Sequence, residues 1–207
     1  MKGLIIKDVF ALRQQGKILL GLLAFYAFYS IMFENISMLA AMIVLLCVML
    51  PLTTMAYDEK SKWEKYALSM PIERKTIVQS KYLFAIVAEL IGVVIVGILS
   101  GLIVLFTDEM KIMEMLIMTL VIGGVGLVFL AIILPILFKF GVEKARFIML
   151  IVVFIPTMLV MMIPHLDIVP PSIQIVKLFG YLSPLIILGL LMFSIKMSIA
   201  IYNRKEF

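Results

Sequence analysis

Glu89 and Lys196 are charges set inside long apolar runs, where a charged side chain must find a partner, water or a route to the headgroups. Glu89 lies eight residues from Lys81 and Lys196 eight from Arg204, so in helices both would sit ~12 Å from the basic ends of their runs. Two arrangements fit that depth. The side chains pair across the runs, or each snorkels separately to the inner headgroups. Other reactive types are sparse. The single cysteine, Cys47, lies within a run, has no partner for an intrachain disulfide and reads as a small buried hydrophobe. The single histidine, His165, follows Pro164 and reads as a solvated interfacial residue.

No zinc or haem spacing occurs, and neither does a Walker A pattern, a GxSxG elbow or an HExxH pair. No catalytic residue, metal site or bound cofactor is therefore expected, and any nucleotide hydrolysis has to come from another chain. Glu34, Asp108, Glu109, Glu114 and Asp167, between the runs or at the start of one, form an acidic set on the outer face. They cap helix starts and obey topology, or they help a cationic molecule leave or enter.

The elements that must position these residues follow from composition. Of 207 residues, 64% are apolar and 15% charged, far outside the soluble range. Six stretches, 18–33, 36–57, 82–107, 112–138, 147–163 and 178–202, are uncharged or nearly so. A membrane helix takes ~20 apolar residues, so the reading is an all-α membrane protein of six transmembrane helices. Residues 18–33 and 147–163 are the shortest and lean on snorkelling by Lys17 and Arg146. The first stretch follows Lys2, Lys7, Arg13 and Lys17 without a small-x-small cleavage pattern, and reads as a retained span. The longest piece outside the runs, 58–81, is too short for a soluble catalytic domain, so residues 1–207 form one transmembrane domain.

With six spans, the amino terminus, residues 58–81, residues 139–146 and the carboxyl terminus share one side. That side carries 16 of the 18 Lys and Arg residues. The positive-inside rule makes it cytoplasmic, with both termini there, in the inner or plasma membrane of a cell. The net charge of +5 is thus an orientation signal and implies no nucleic-acid partner.

Within the spans, Gly97 and Gly101 form a GxxxG pattern and Gly123, Gly124 and Gly126 cluster, so backbones are expected to approach closely there. Pro135 and Pro156 are expected to kink their spans. The 17 methionines supply adaptable apolar surface.

The loop 58–81 is patterned. Trp63, Tyr66, Ala67 and Met70 recur at helical spacing, with Glu59, Lys62, Glu64, Lys65 and Ser69 on the remaining faces. Pro71 resets the chain, and a second helix is expected through Arg74, Lys75, Ile77, Val78 and Lys81 into the third span. A short amphipathic helix lying on the membrane or docked on another protein fits this pattern. So does a solvated loop anchored to lipid by Trp63 and Tyr66.

The stretch WEKYALSMPIERKTIVQSKYL, Trp63 to Leu83, resembles the cytoplasmic loop of type-2 ABC exporter permeases. The start MKGLIIKDVFALRQQGK, with Ile5, Val9 and Leu12 on one face, resembles that family's amphipathic interfacial helix, and IYNRKEF its short basic end. The resemblance implies a permease subunit that pairs with itself or a related chain and binds two separate ATP-binding cassette ATPase subunits, which hold ATP and Mg. It also implies that the short cytoplasmic helix between spans two and three is a coupling helix. Carried onto this chain, the coupling contact falls on Glu59, Trp63, Glu64, Tyr66 and Met70. The outer connection 164–177 is short for the family and leaves room for one short helix. The expected function is export of a peptide, lipid-like or apolar molecule, driven by ATP hydrolysis in the partner. The alternatives are a structural or immunity-type membrane protein without a transport cycle and an intramembrane enzyme.

Overall fold

In the computed structural model, seven α-helices and no strand make up the described residues: α1 (Lys2–Arg13), α2 (Gly16–Met32), α3 (Ile36–Lys60), α4 (Trp63–Ser69), α5 (Arg74–Thr107), α6 (Ile112–Met162) and α7 (Ile173–Asn203). The structure describes residues 2–13, 15–33, 35–70, 72–107, 112–162 and 173–205, with side chains at all of these except 68, 105–107, 156, 159–162 and 173–179. His165 and the acidic residues 34, 108, 109 and 167 lie outside the described residues, as does most of the connection 164–177.

Local chemistry accounts for several boundaries. Asn35 caps α3, its side chain accepting from the Met38 N–H at 3.1 Å, which satisfies one of the orphan amides of the first turn. Beyond the expected end at Tyr57, α3 runs on to Lys60 because Asp58, Glu59 and Lys60 are compatible with helix once the chain has left the apolar layer. Lys62 then adopts a left-handed conformation, φ 53° and ψ 32°, and turns the chain into α4. Pro71 separates α4 from α5, which begins at Arg74 as expected.

The expected loop 139–146 between two spans is absent. A single 51-residue element, α6, covers 112–162 and is broken only at Gly141, where φ is 77° and ψ 175°. Hydropathy reads Lys139, Glu143, Lys144 and Arg146 as a connector, yet these residues tolerate helix well. The break therefore comes from glycine, the residue that takes positive φ without a Cβ clash, and not from Pro135, which sits buried in the helix.

Two apolar clusters hold the bundle. At one end Ile36, Leu39 and Ile43 of α3 meet Val96, Ile103 and Val104 of α5 and Met115 of α6. At the other, Val48, Leu52 and Met55 of α3 pack with Ala67 of α4, Val78 and Tyr82 of α5, Leu134, Leu137 and Phe138 of α6 and Tyr202 of α7. Phe138 stacks on Tyr82 with centroids 6.5 Å apart and meets Tyr202 edge-on at 5.6 Å. α1 lies against α3 and α5 at this second end. It turns Leu4 and Asp8 inward and leaves Val9 exposed, so its packed face is rotated from the one expected.

Close approach is set by glycines other than the GxxxG pair. Gly97 has no neighbour within 4 Å of where a Cβ would stand, among the described residues, and Gly101 meets only Met115 Sδ at 4.0 Å. Gly123 instead lies against Val93, Gly92 against Cys47, and Gly126 against Glu89 and Val44.

Among the described residues, four helices are long and apolar enough to cross a membrane, with cores at Ile36–Lys60, Arg74–Val104, Ile112–Ile155 and Gly180–Asn203. The bent pair α1 and α2 makes a fifth if taken together. Large apolar side chains such as Phe25, Phe28, Phe154 and Phe193 point out of the bundle, as a lipid-facing surface requires. The chain is a multi-pass membrane protein.

Candidate functional site

The polar side chains gather at the end of the bundle where α3 stops, α4 crosses, α5 starts and α7 stops. Two lysines and two aspartates form one cluster there. Lys7 Nζ lies 2.5 Å from Asp58 Oδ1 and 3.3 Å from Asp8 Oδ1, and Lys81 Nζ lies 2.7 Å from Asp8 Oδ1 and 2.6 Å from Asp58 Oδ2. Asp8 and Lys81 are buried, so the cluster survives desolvation by balancing two charges of each sign. It ties α1, α3 and α5 together. Gln15 adds a hydrogen bond from its amide to the Tyr57 hydroxyl at 3.2 Å.

α4 is fastened to this base on one side and open on the other. Lys7 sits over the Trp63 ring, 4.6 Å from its centroid, and Ala67 is fully buried. Glu64 is paired with Lys205 beyond α7, at 3.3 Å. Tyr66 and Met70 face outward, 62% and 42% exposed. The residues expected at the coupling contact thus divide. Trp63 and Glu64 bind inward to α1 and to the end of α7, whereas Tyr66 and Met70 form the free face.

Glu59 is split between these roles. Its side chain is exposed at the surface, yet its Oε1 accepts from the Val142 N–H at 2.8 Å, at the break in α6. The end of α7 is held in a similar way by a side chain from another helix. Arg74 Nη1 donates to the carbonyls of Tyr202, Asn203 and Lys205 at 3.3, 2.8 and 3.2 Å, where α7 runs out of intrahelical amides.

The structure does not bring Glu89 and Lys196 together. Glu89 is 0% exposed, and neither carboxyl oxygen has a hydrogen-bond partner among the described residues. Lys196 is exposed on α7. The cause is azimuth: Ser194 and Ser198 are four residues apart and face the bundle, and Lys196, two residues from each, falls ~200° around the helix. Depth along the two helices is similar, but direction is opposed. Snorkelling is open to Lys196 only.

The face of α7 that does look inward carries a network that sequence reasoning missed. The Tyr82 hydroxyl lies 2.6 Å from Ser194 Oγ and 2.7 Å from Ser198 Oγ, and Ser194 donates to the Ala131 carbonyl at 2.5 Å. These buried bonds knit α5, α6 and α7 just inside the charged end. The signal available was the pair of serines at i and i+4 in an otherwise apolar run. Arg74 gave no comparable signal, because backbone carbonyls at a helix end are the same whatever the sequence. Among the described residues, no group of three or more His, Cys, Asp or Glu is placed to hold a metal ion.

A charged end, a half-open short helix and a polar tie to every long helix suit a membrane component worked from one side. Across residues 3–203 the sequence matches the model of a family described as ABC-2 family transporter proteins. The chain belongs to the ABC-2 family. No curated protein and no solved structure matches it. As an ABC-2 protein it is a membrane transport component, and its charged end holds helix ends together and leaves Tyr66 and Met70 exposed.

Proposed function

We propose that this ABC-2 protein is the permease subunit of an ATP-binding cassette exporter. Its charged end faces the cytoplasm, and α4 is the coupling helix on which a separate ATPase subunit docks. The observation that carries this reading is the asymmetry of α4, anchored inward through Trp63, Ala67 and Glu64 while Tyr66 and Met70 stay open. A lipid anchor would present Trp63 and Tyr66 outward together. The chain's own groups hold no nucleotide; ATP and Mg belong to the partner, and the second permease subunit is a copy of this chain or a relative of it. An export pathway suits a peptide, lipid-like or apolar molecule.

Six crossings are the topology this reading takes, and helix ends support it. Glu59 puts the α6 break at the charged end, and Arg74 puts the end of α7 there as well. Since α7 is 31 residues long, about 46 Å, it starts near the opposite end. The stretch 142–162 then has to carry the chain back across, and with α2, α3, α5, 112–140 and α7 this makes six.

The test is purification from the native membrane in mild detergent, comparing the wild type with a Tyr66→Ala, Met70→Ala double variant. An ATP-binding cassette protein retained by the wild type and lost from a well-folded variant is the expected result. Wild-type chain recovered without any such protein would remove the exporter reading.

A further inference from the structure

We infer that Glu59 is a positioning residue that links the coupling helix to the second stretch of α6, through the hydrogen bond from Val142 N–H to its carboxylate. This rests on the exporter reading and gives it a transmission route. Gly141 breaks α6 with φ 77°, so the amide of Val142 loses its partner in the preceding turn and opens a new helical stretch. Glu59 Oε1 takes that amide at 2.8 Å, and its negative charge suits the positive end of the stretch it caps. The fit is close: a Cβ on residue 141 would stand 2.8 Å from the same oxygen.

Glu59 lies one residue before the end of α3 and four before Trp63, with only the turn at Ser61 and Lys62 between. Any displacement of α4 therefore reaches Glu59 across the three residues Lys60, Ser61 and Lys62. The base on which α3 stands is held by the Lys7, Asp8, Asp58 and Lys81 cluster, leaving the α6 break as the joint able to turn. The donor Val142 is buried in the core while the acceptor side chain is exposed at the surface, so the bond spans from the partner-accessible face to the bundle. Among the Glu59, Trp63, Glu64, Tyr66 and Met70 set, Glu59 is the one bonded to the backbone of α6.

The experiment uses the full complex with its ATPase subunit in lipid nanodiscs. Spin labels are placed at Ile151→Cys and Leu188→Cys, in a Cys47→Ser background, to report the distance between the second stretch of α6 and α7. Distances are recorded without nucleotide and after trapping with Mg, ATP and vanadate. Two variants remove the bond from opposite sides. E59A deletes the acceptor; V142P deletes the donor at a first helical position, where proline is tolerated, and leaves Glu59 in place. The expected result is that V142P keeps the ATPase bound and hydrolysing within about twofold of wild type, while in both variants, measured on complexes that carry the ATPase, the trapped-state shift in distance falls at least threefold. E59Q, which retains an acceptor oxygen, recovers at least half of it. A shift of wild-type size in either E59A or V142P overturns the inference, and so does loss of the ATPase from E59A, which would make Glu59 a docking contact. If wild-type chain carries no ATPase, the exporter reading falls and this inference falls with it. The inference alone fails when the ATPase is bound and the variants move normally.

Discussion

Asp8 and Lys81 show what a single charged residue does in this chain. Asp8 is 1% exposed and lies 2.7 Å from a lysine that is almost as buried, so neither can return to water when the other is removed. Asp8→Ala leaves Lys81 with Asp58 as its acidic partner and is expected to cost about 3 kcal/mol, the scale for breaking a buried pair. A thermal melt in detergent followed by a thiol-reactive dye at Cys47 measures it. Glu89 presents the reverse case, a side chain with both oxygens buried and unpartnered among the described residues. Burying a polar group without hydrogen bonds is unfavourable, so Glu89→Leu, of similar volume, is expected to raise stability by about 1 to 3 kcal/mol in the same melt. Equal or lower stability would mean that the carboxyl finds partners within the membrane.

At the scale of elements, helices of very different length are held by the same few devices. Glycine is used for contact at Gly126, where a Cβ would overlap the Glu89 carboxyl and Val44. Gly126→Ala is expected to push α6 off α3 and α5 and cost about 2 kcal/mol, as overpacking of a tight core does. Glycine is used for conformation at Gly141. Gly141→Ala puts a side chain at φ 77° beside Glu59 and is expected to cost about 1 to 2 kcal/mol for the backbone alone. Gly97→Ala, with open space around it, is the control for both and should leave the melt unchanged. The helical class, the patterned segment after α3 and the restart at Arg74 were legible in the sequence, because apolar length, i to i+4 spacing and Pro71 are local signals. The α6 break was not. Hydropathy detects where a chain leaves the apolar layer, but whether the backbone stays helical there depends on one glycine and on a cap supplied from 83 residues away. A cap of this kind has no motif, since its donor is a backbone amide.

For the whole molecule, charge placement is the feature that sequence and structure share most fully. The basic loops and termini of the sequence become one end of a bundle, where α1, α4 and the ends of α3, α5 and α7 are fastened together by Lys7, Asp8, Asp58, Glu64, Lys81, Arg74 and Lys205. The family followed from the segment Trp63 to Leu83 and its layout, and the match over residues 3–203 bears it out. The pairing of Glu89 with Lys196 did not hold, because depth in the membrane is written in sequence distance whereas azimuth is decided by which neighbours, here Tyr82 and Ala131, claim the inner face of α7.

The central claim is that the open face of α4 receives an ATPase subunit. A photoreactive phenylalanine derivative placed at position 66 in native membranes tests it most directly, with position 193, 68% exposed on the apolar flank of α7, as the control. The account predicts an ATP-binding cassette protein cross-linked from position 66 and none from 193. Cross-links from 66 to lipid alone, or equally from both positions, would contradict it.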